Sequence, residues 1–155
     1  ILTSMTANAE GKLVVQLQRH IAAPTLHVWD TAASEAGMKA WLGPHIFEPH
    51  VGGRLLIDVL MDQRWIMYGN VTVYAPPHAL AVTWNELDPL KRSVMVFDTL
   101  VTLTFEEQDG GTLVTLRHDG FDHLPDAETQ YNNYKVGWES LNDLEMLAEM
   151  VEGTQ

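Results

Sequence analysis

The chain has 155 residues, no cysteine and a formal net charge of −12. Its length fits one domain, and the absence of cysteine excludes disulfides, thiolate zinc sites and cysteine nucleophiles. Only 9 Lys and Arg residues stand against 21 Asp and Glu residues. This balance argues against nucleic acid or an anionic membrane surface as a partner, because both bind clustered cations.

The first residues, 1–12, are small and polar, and they lack the basic and apolar regions of a signal peptide. They predict a disordered or vector-derived lead-in. No segment contains the roughly 18 apolar residues that a membrane span requires. Residues 13–152 are therefore expected to form a single cytoplasmic domain.

One strand and two short helices are predicted first. Residues 13–21 alternate apolar and polar side chains over their middle, as a half-buried strand does. Pro24 is suited to the first position of a short helix that runs to about residue 33. Ser34 is predicted to cap a second short helix, 35–42, which Gly43 and the following proline end.

Six further strands are predicted between pairs of Gly, Pro and Asp residues that are typical of turns. They are placed at 46–49, 54–61, 64–74, 79–86, 93–108 and 112–119. Connections of hairpin length between them predict an antiparallel meander with one apolar face. Such a face must be covered by another element.

The last predicted element is an amphipathic helix at 126–151, with Asp126 as its N-cap. At 1.5 Å per residue it would be about 38 Å long, which is enough to cross a small domain. Its apolar stripe is aromatic in the first half and aliphatic in the second. We expect this helix to cover the sheet, with space for a ligand near the aromatic end.

Short motifs in this order resemble the SRPBCC or helix-grip superfamily, which includes START domains, Bet v 1-like proteins and polyketide cyclases. The motifs are Ile21-Ala22-Ala23-Pro24, Trp41-Leu42-Gly43-Pro44, Val51-Gly52-Gly53-Arg54, Gly110-Gly111-Thr112, His118-Asp119-Gly120-Phe121 and Gly137-Trp138. The chain is most similar to the bacterial branch related to the activator of Hsp90 ATPase, over about residues 13–150. The resemblance implies an α+β fold in which a curved antiparallel sheet of six to seven strands, with two short helices after strand 1, wraps around a long C-terminal helix.

The resemblance also implies an internal cavity for an apolar or amphipathic small molecule. The residues that we expect to line it are mostly aromatic or polarizable, as suits flat hydrophobic ligands. They are Trp41, Ile57, Val59, Trp65, Met67, Trp84, Met95, Phe97, His118, Phe121, Tyr134 and Trp138. For each of them, plain core packing is the competing interpretation.

No catalytic residue is assigned, but His118 is the candidate, because alternation places it on the inward side of its strand. A histidine hydrogen bonded within the core is the alternative. Paired carboxylates would have to come from Asp58, Glu86 and Asp98, and alternation favours a solvated face for Asp58 and Asp98. The seven histidines include no i, i+4 helical pair, so no metal site is predicted, and no cofactor is required.

Three functions fit this sequence. The favoured one is a protein that binds a hydrophobic small molecule. The second is an enzyme of the cyclase, hydrolase or isomerase type that uses the same cavity, with His118 as the general base. The third is a chaperone-interacting module, as the resemblance implies, and exposed strand edges also allow a homodimer.

Overall fold

An eight-stranded antiparallel sheet and four helices make up the parts of the chain that the structure describes. The computed structural model describes residues 4–7, 13–59 and 64–153. The strands are β1 Ser4–Ala7, β2 Leu13–Ile21, β3 Ile46–Phe47, β4 Arg54–Val59, β5 Trp65–Ala75, β6 Ala79–Asp88, β7 Ser93–Gln108 and β8 Gly111–Asp119. The helices are α1 Thr25–Ala33, α2 Glu35–Trp41, α3 Ala127–Leu141 and α4 Asp143–Glu152.

The strands are arranged in the order β1-β2-β8-β7-β6-β5-β4-β3. Six of them, β3 to β8, form the predicted meander, and β2 returns to pair with β8. The predicted α+β helix-grip architecture is therefore confirmed. Strand β1 adds one more strand within the expected lead-in, where Ser4 pairs with Gln16. The rest of the lead-in, 1–3 and 8–12, lies outside the described residues.

The inner face of the sheet carries the core that alternation predicts. Its buried residues come from every long strand after β2, and they include Leu55, Leu80, Val82, Val101, Leu103, Phe105, Val114 and Leu116. Side chains on one face of a strand recur every second residue, so this pattern can be read directly from sequence. Met61, which was expected on the same face, lies outside the described residues.

The helical cover of the sheet is confirmed, but it is interrupted at Asn142. This residue has the left-handed φ of 55° and separates α3 from α4. Asparagine is one of the few residues other than glycine that adopts this conformation at small cost. The aromatic and aliphatic halves of the predicted stripe therefore belong to two helices.

A bulge between β6 and β7 changes which residues of β7 face inward. Asp98 has a positive φ of 54°, and its backbone N–H donates to Asn85 Oδ1 at 2.9 Å. On one side of the bulge Val96 is buried, and on the other side Thr99 and Val101 are buried. The buried residues Val96 and Thr99 are thus three positions apart, because the irregular pairing with β6 inserts extra residues into β7.

The first two helices match their predictions closely. Ser34 caps α2, and its Oγ accepts a hydrogen bond from the Gly37 N–H at 3.0 Å. Pro24 is the N-cap of α1, one position earlier than expected. Within the described part of the chain, no helix is both long and apolar enough to cross a membrane.

Candidate ligand-binding cleft

A cleft of about 610 Å³ lies between α3 and the strands β4, β5 and β6. Its apolar lining consists of Leu42, Ile57, Val59, Trp65, Met67, Trp84, Trp138 and Leu141. Its polar lining consists of Glu86, Asn133, Tyr134 and Asp143, and Gly137 completes it.

Two tryptophans form the inner wall of the cleft. Trp84 on β6 and Trp138 on α3 are 3% and 5% exposed, and their ring centroids lie 5.5 Å apart. Trp65, which is half-buried at the start of β5, adds a third indole to the lining. Such rings provide large flat apolar surfaces with electron-rich faces.

Tyr134 connects this aromatic wall to a carboxyl group. Its hydroxyl accepts a hydrogen bond from Trp84 Nε1 at 3.2 Å and donates to Glu86 Oε1. Burial raises the pKa of Glu86, and the hydrogen bond from Tyr134 partly opposes that rise. Burial and the neighbouring Glu86 also raise the pKa of Tyr134 well above its usual value, so the phenol keeps its proton and acts as a donor.

Asp143 places a second carboxyl group in the cleft. It is the first residue of α4, where a negative charge suits the helix dipole. Burial raises the pKa of its carboxyl to about 6. None of the ion pairs between described residues involves Asp143 or Glu86.

His118 lies behind the wall, with no exposed surface. Its Nδ1 accepts a hydrogen bond from Trp138 Nε1 at 3.1 Å, and its Nε2 is 2.8 Å from Thr99 Oγ1. An indole N–H can only donate, so this network assigns the imidazole proton to Nε2. The Thr99 hydroxyl then donates to the Trp84 carbonyl at 2.6 Å. Burial lowers the pKa of His118 to about 3, and the ring is therefore neutral at physiological pH.

A second groove, of about 440 Å³, lies between β2 and the residues around the break between α3 and α4. Trp138 and Asp143 border both cavities. Arg19 crosses the second groove in a two-point ion pair with Glu145, at 2.9 and 3.0 Å. In the described ranges, no group of three His, Asp or Glu side chains is placed to hold a metal ion.

The family of the chain follows from its sequence over this same region. A family model described as Activator of Hsp90 ATPase homolog 1-like protein matches residues 22–152. The chain belongs to this family. The match includes both helices that precede β3, all strands of the meander and the helical cover. All residues that line the cleft therefore lie within the matched region.

Solved structures with the same fold are numerous. Protein Ms6760 from Mycobacterium smegmatis is similar with a TM-score of 0.77 and 16% identity, over 100% of this chain and 99% of that one. Protein MLL2253 from Mesorhizobium loti has a TM-score of 0.71 and 25% identity, over 92% and 98% of the two chains. The Aha1 dimer from Colwellia psychrerythraea has a TM-score of 0.65 and 16% identity, over 90% and 96%. No curated protein matches this sequence significantly.

In this family member, seven of the twelve residues expected at the ligand site line the cleft. They are Ile57, Val59, Trp65, Met67, Trp84, Tyr134 and Trp138. Three others lie in the core away from the lining. Trp41 donates its indole N–H to the Ala32 carbonyl at 2.9 Å, and His118 and Phe121 have no exposed surface.

The remaining two, Met95 and Phe97, are half-buried on β7 and do not line the cleft. They precede the bulge at Asp98, and both pack against the edge of the hydrophobic core without reaching the cleft. Phe97 also packs against the ring of His123, with centroids 5.1 Å apart. Simple alternation from Val101 could not reveal this, because the bulge changes the parity of the strand.

Six lining residues were not expected at the site: Leu42, Glu86, Asn133, Gly137, Leu141 and Asp143. The spacing of some of these residues in the sequence could have predicted their place on the lining. Glu86 follows Trp84 by two positions on one strand, and Gly137 and Leu141 lie three and seven positions after Tyr134 on one helix face. The spacing of Asp143 could not, because its position depends on the break at Asn142.

Proposed function

We propose that this protein binds an apolar or aromatic small molecule in the cleft between the sheet and α3. The observation that carries the proposal is the cleft itself, with a volume of about 610 Å³ and a wall of three indole rings. This volume lies within the range of roughly 300–1,000 Å³ that is common for small-molecule sites. A few polar groups on an otherwise apolar lining are also typical of such sites.

Gly137 supports the same proposal. It lies inside α3 and lines the cleft, and a Cβ atom added there would meet no heavy atom within 4 Å. Glycine in a helix interior costs about 1 kcal/mol relative to alanine. The chain thus gives up helix stability at a position where a side chain would extend into the cleft.

His118 has a positioning role in this proposal. Both of its ring nitrogens are hydrogen bonded within the protein, and it holds the indole N–H of Trp138 and, through Thr99, the backbone of Trp84. The two tryptophans of the inner wall are thereby fixed relative to each other. A rigid wall lowers the entropy lost when a ligand binds.

A pair of phenylalanine substitutions on α3 tests the proposal. Gly137→Phe places a ring in the cleft, whereas Val136→Phe places the same ring at a position that is 59% exposed. With phenylbutanol as the probe, we expect saturable quenching of tryptophan emission in the wild type and in Val136→Phe. We expect Gly137→Phe to weaken binding by a factor of at least about ten, because the ring fills the site.

Near-UV circular dichroism of all three proteins controls for folding. Equal affinity of the wild type and Gly137→Phe would rule out this cleft as the binding site. Absence of saturable binding in the folded wild type would overturn the proposal for this class of ligand.

The family description favours a second candidate, a module that acts on the Hsp90 chaperone. The exposed Glu145 and Glu149 of α4 would then dock on a basic surface. The double variant Glu145→Lys with Glu149→Lys would abolish capture by an Hsp90 middle domain, whereas Gly137→Phe would leave it intact. Capture that survives charge reversal would exclude this surface.

The dimeric Aha1 from Colwellia psychrerythraea favours a homodimer as the form in solution. Sedimentation equilibrium would show a mass near twice 17.4 kDa if this holds. A single species at the mass of one chain would exclude it at the concentrations used.

A further inference from the structure

The charges around the cleft point to the class of its ligand, and this inference rests on the proposed function. The titratable groups on the lining are two carboxyls, Glu86 and Asp143, and the phenol of Tyr134. Among the described lining residues there is no Lys, Arg or His. The five ion pairs seen between described residues lie at other positions.

Both carboxyl groups keep oxygen atoms that have no hydrogen bond to the described residues. Oε1 of Glu86 accepts the hydrogen bond from Tyr134, whereas Oε2 has no hydrogen bond to any described residue. Asp143 makes none with the described residues either. Every fully buried polar side-chain atom in the described ranges has a partner, so these unpaired oxygens remain accessible.

The aromatic wall favours a positively charged ligand, as the carboxyl groups do, but by a different mechanism. Trp84 and Trp138 lie on the same lining as the carboxyls, with ring centroids 5.5 Å apart, and Trp65 borders the same space. Cations are attracted to the electron-rich faces of aromatic rings, most strongly to those of tryptophan. An aromatic wall with carboxyl groups at its edge suits an apolar body with a positive charge.

We propose that the cleft binds an organic ammonium compound, whose apolar body packs on the indoles and whose protonated amine pairs with Glu86 and Asp143. A partly buried carboxyl without a cationic partner is disfavoured by lost solvation, and the ligand's charge offsets that loss. A ligand carboxylate, by contrast, would face two groups of its own sign. The cleft therefore selects ligands by the sign of their charge.

Three compounds with the same apolar body test this: phenylbutylamine, phenylbutanol and phenylbutyrate, titrated by isothermal calorimetry near neutral pH and low salt. We expect the amine to bind at least about tenfold more tightly than the alcohol, from ion pairing and the cation–π contact. We expect the carboxylate to bind more weakly than the alcohol.

Paired variants locate the charge effect. Glu86→Gln with Asp143→Asn should reduce the preference for the amine over the alcohol to the smaller part that the cation–π contact supplies. Asp30→Asn with Glu107→Gln removes two charges from exposed positions and should keep the preference for the amine. If the control pair loses the preference to the same extent, the effect belongs to the net charge and the proposal is overturned.

The neutral alcohol separates the two proposals. If none of the three compounds binds to the folded protein, the cleft is not a site for this class of molecule and the proposed function fails. If the alcohol binds as tightly as the amine, or more tightly, the cleft is a binding site but the inference about ammonium ligands is wrong.

Discussion

At the scale of single residues, one buried imidazole organises the polar groups of the core. His118 has the indole N–H of Trp138 on one side and the hydroxyl of Thr99 on the other. Because the donor from tryptophan needs an acceptor and the hydroxyl can accept, only the neutral ring with its proton on Nε2 satisfies both contacts. Protonation at Nδ1 would place two donors face to face.

This arrangement makes the stability of the fold depend on pH through His118. Its pKa of about 3 in the folded protein lies below the ordinary 6.5, so the unfolded chain takes up the proton first as the pH falls. The stabilisation by the neutral ring is complete above about pH 6.5 and declines down to about pH 3. Between pH 7 and pH 5 we expect a loss of about 2 kcal/mol from this residue.

The carboxyl groups of the cleft act in the opposite direction. Burial raises the pKa of Asp143 to about 6 and also raises that of Glu86, so the folded state takes up their protons first as the pH falls. The contribution of His118 must therefore be measured as a difference. Relative to His118→Gln, we expect the stability advantage of the wild type in urea unfolding to shrink by about 2 kcal/mol from pH 7 to pH 5. A constant difference would show that His118 is not held neutral.

At the scale of secondary structure, the break at Asn142 determines the shape of the helical cover. The apolar spacing runs on from Trp138 to Leu144 and Val151, so sequence periodicity predicts one continuous helix. A residue in the left-handed conformation ends the first helix and starts the second in a new direction. Leu141, the last residue of α3, is consequently 70% exposed at the rim of the cleft.

Substitutions at Asn142 test whether this break is built into the chain. We expect Asn142→Ala to lower the free energy of unfolding by about 1 kcal/mol, because a Cβ-bearing residue without a short polar group is strained in the left-handed region. Asn142→Gly should change it by only a few tenths of a kcal/mol, since glycine adopts this conformation freely. Urea unfolding of the three proteins measures this. If Asn142→Ala were the more stable variant, a continuous helix would be the preferred form.

At the scale of the whole molecule, the cleft couples ligand binding to stability. A ligand that binds only the folded state stabilises it by about 2.7 kcal/mol at one hundred times its dissociation constant. For a domain of this size that corresponds to a rise in melting temperature of roughly 5–10 °C. We expect this rise with phenylbutanol in the wild type and in Val136→Phe, and no more than about half of it in Gly137→Phe, whose affinity is at least about tenfold lower. Scanning calorimetry at the same ligand concentration gives the comparison, and an equal rise in all three proteins would place the ligand elsewhere.

Much of this molecule could be predicted from local patterns. Alternation identified the buried face of β4, β6, β7 and β8, and the turn residues Gly52, Pro76 and Gly110 lie in connections between strands. Motif order identified the helix-grip fold and its family. Most of the aromatic lining followed as well, because Trp84, Tyr134 and Trp138 lie on faces that a strand or helix period defines.

Some of the errors arise where the backbone conformation changes at a single residue. Met95 and Phe97, which precede the bulge at Asp98, pack against the core and not on the cleft, and Asp143, which follows the positive φ of Asn142, lines the cleft. Periodicity carries no information across such a point, because the phase of the pattern is reset there. Glu86 and His118 depended on tertiary contacts with Tyr134, Trp138 and Thr99 that no spacing defines.

The sequence by itself determined the class of the fold, the order of its elements, the apolar face of the sheet and the aromatic end of its helical cover, since these follow from short-range periods and from turn chemistry. Only the tertiary structure decided that space remains between the sheet and α3, which residues border it, and that its charges are acidic. These properties depend on how closely distant elements approach, and that distance is set by the packing of the whole chain.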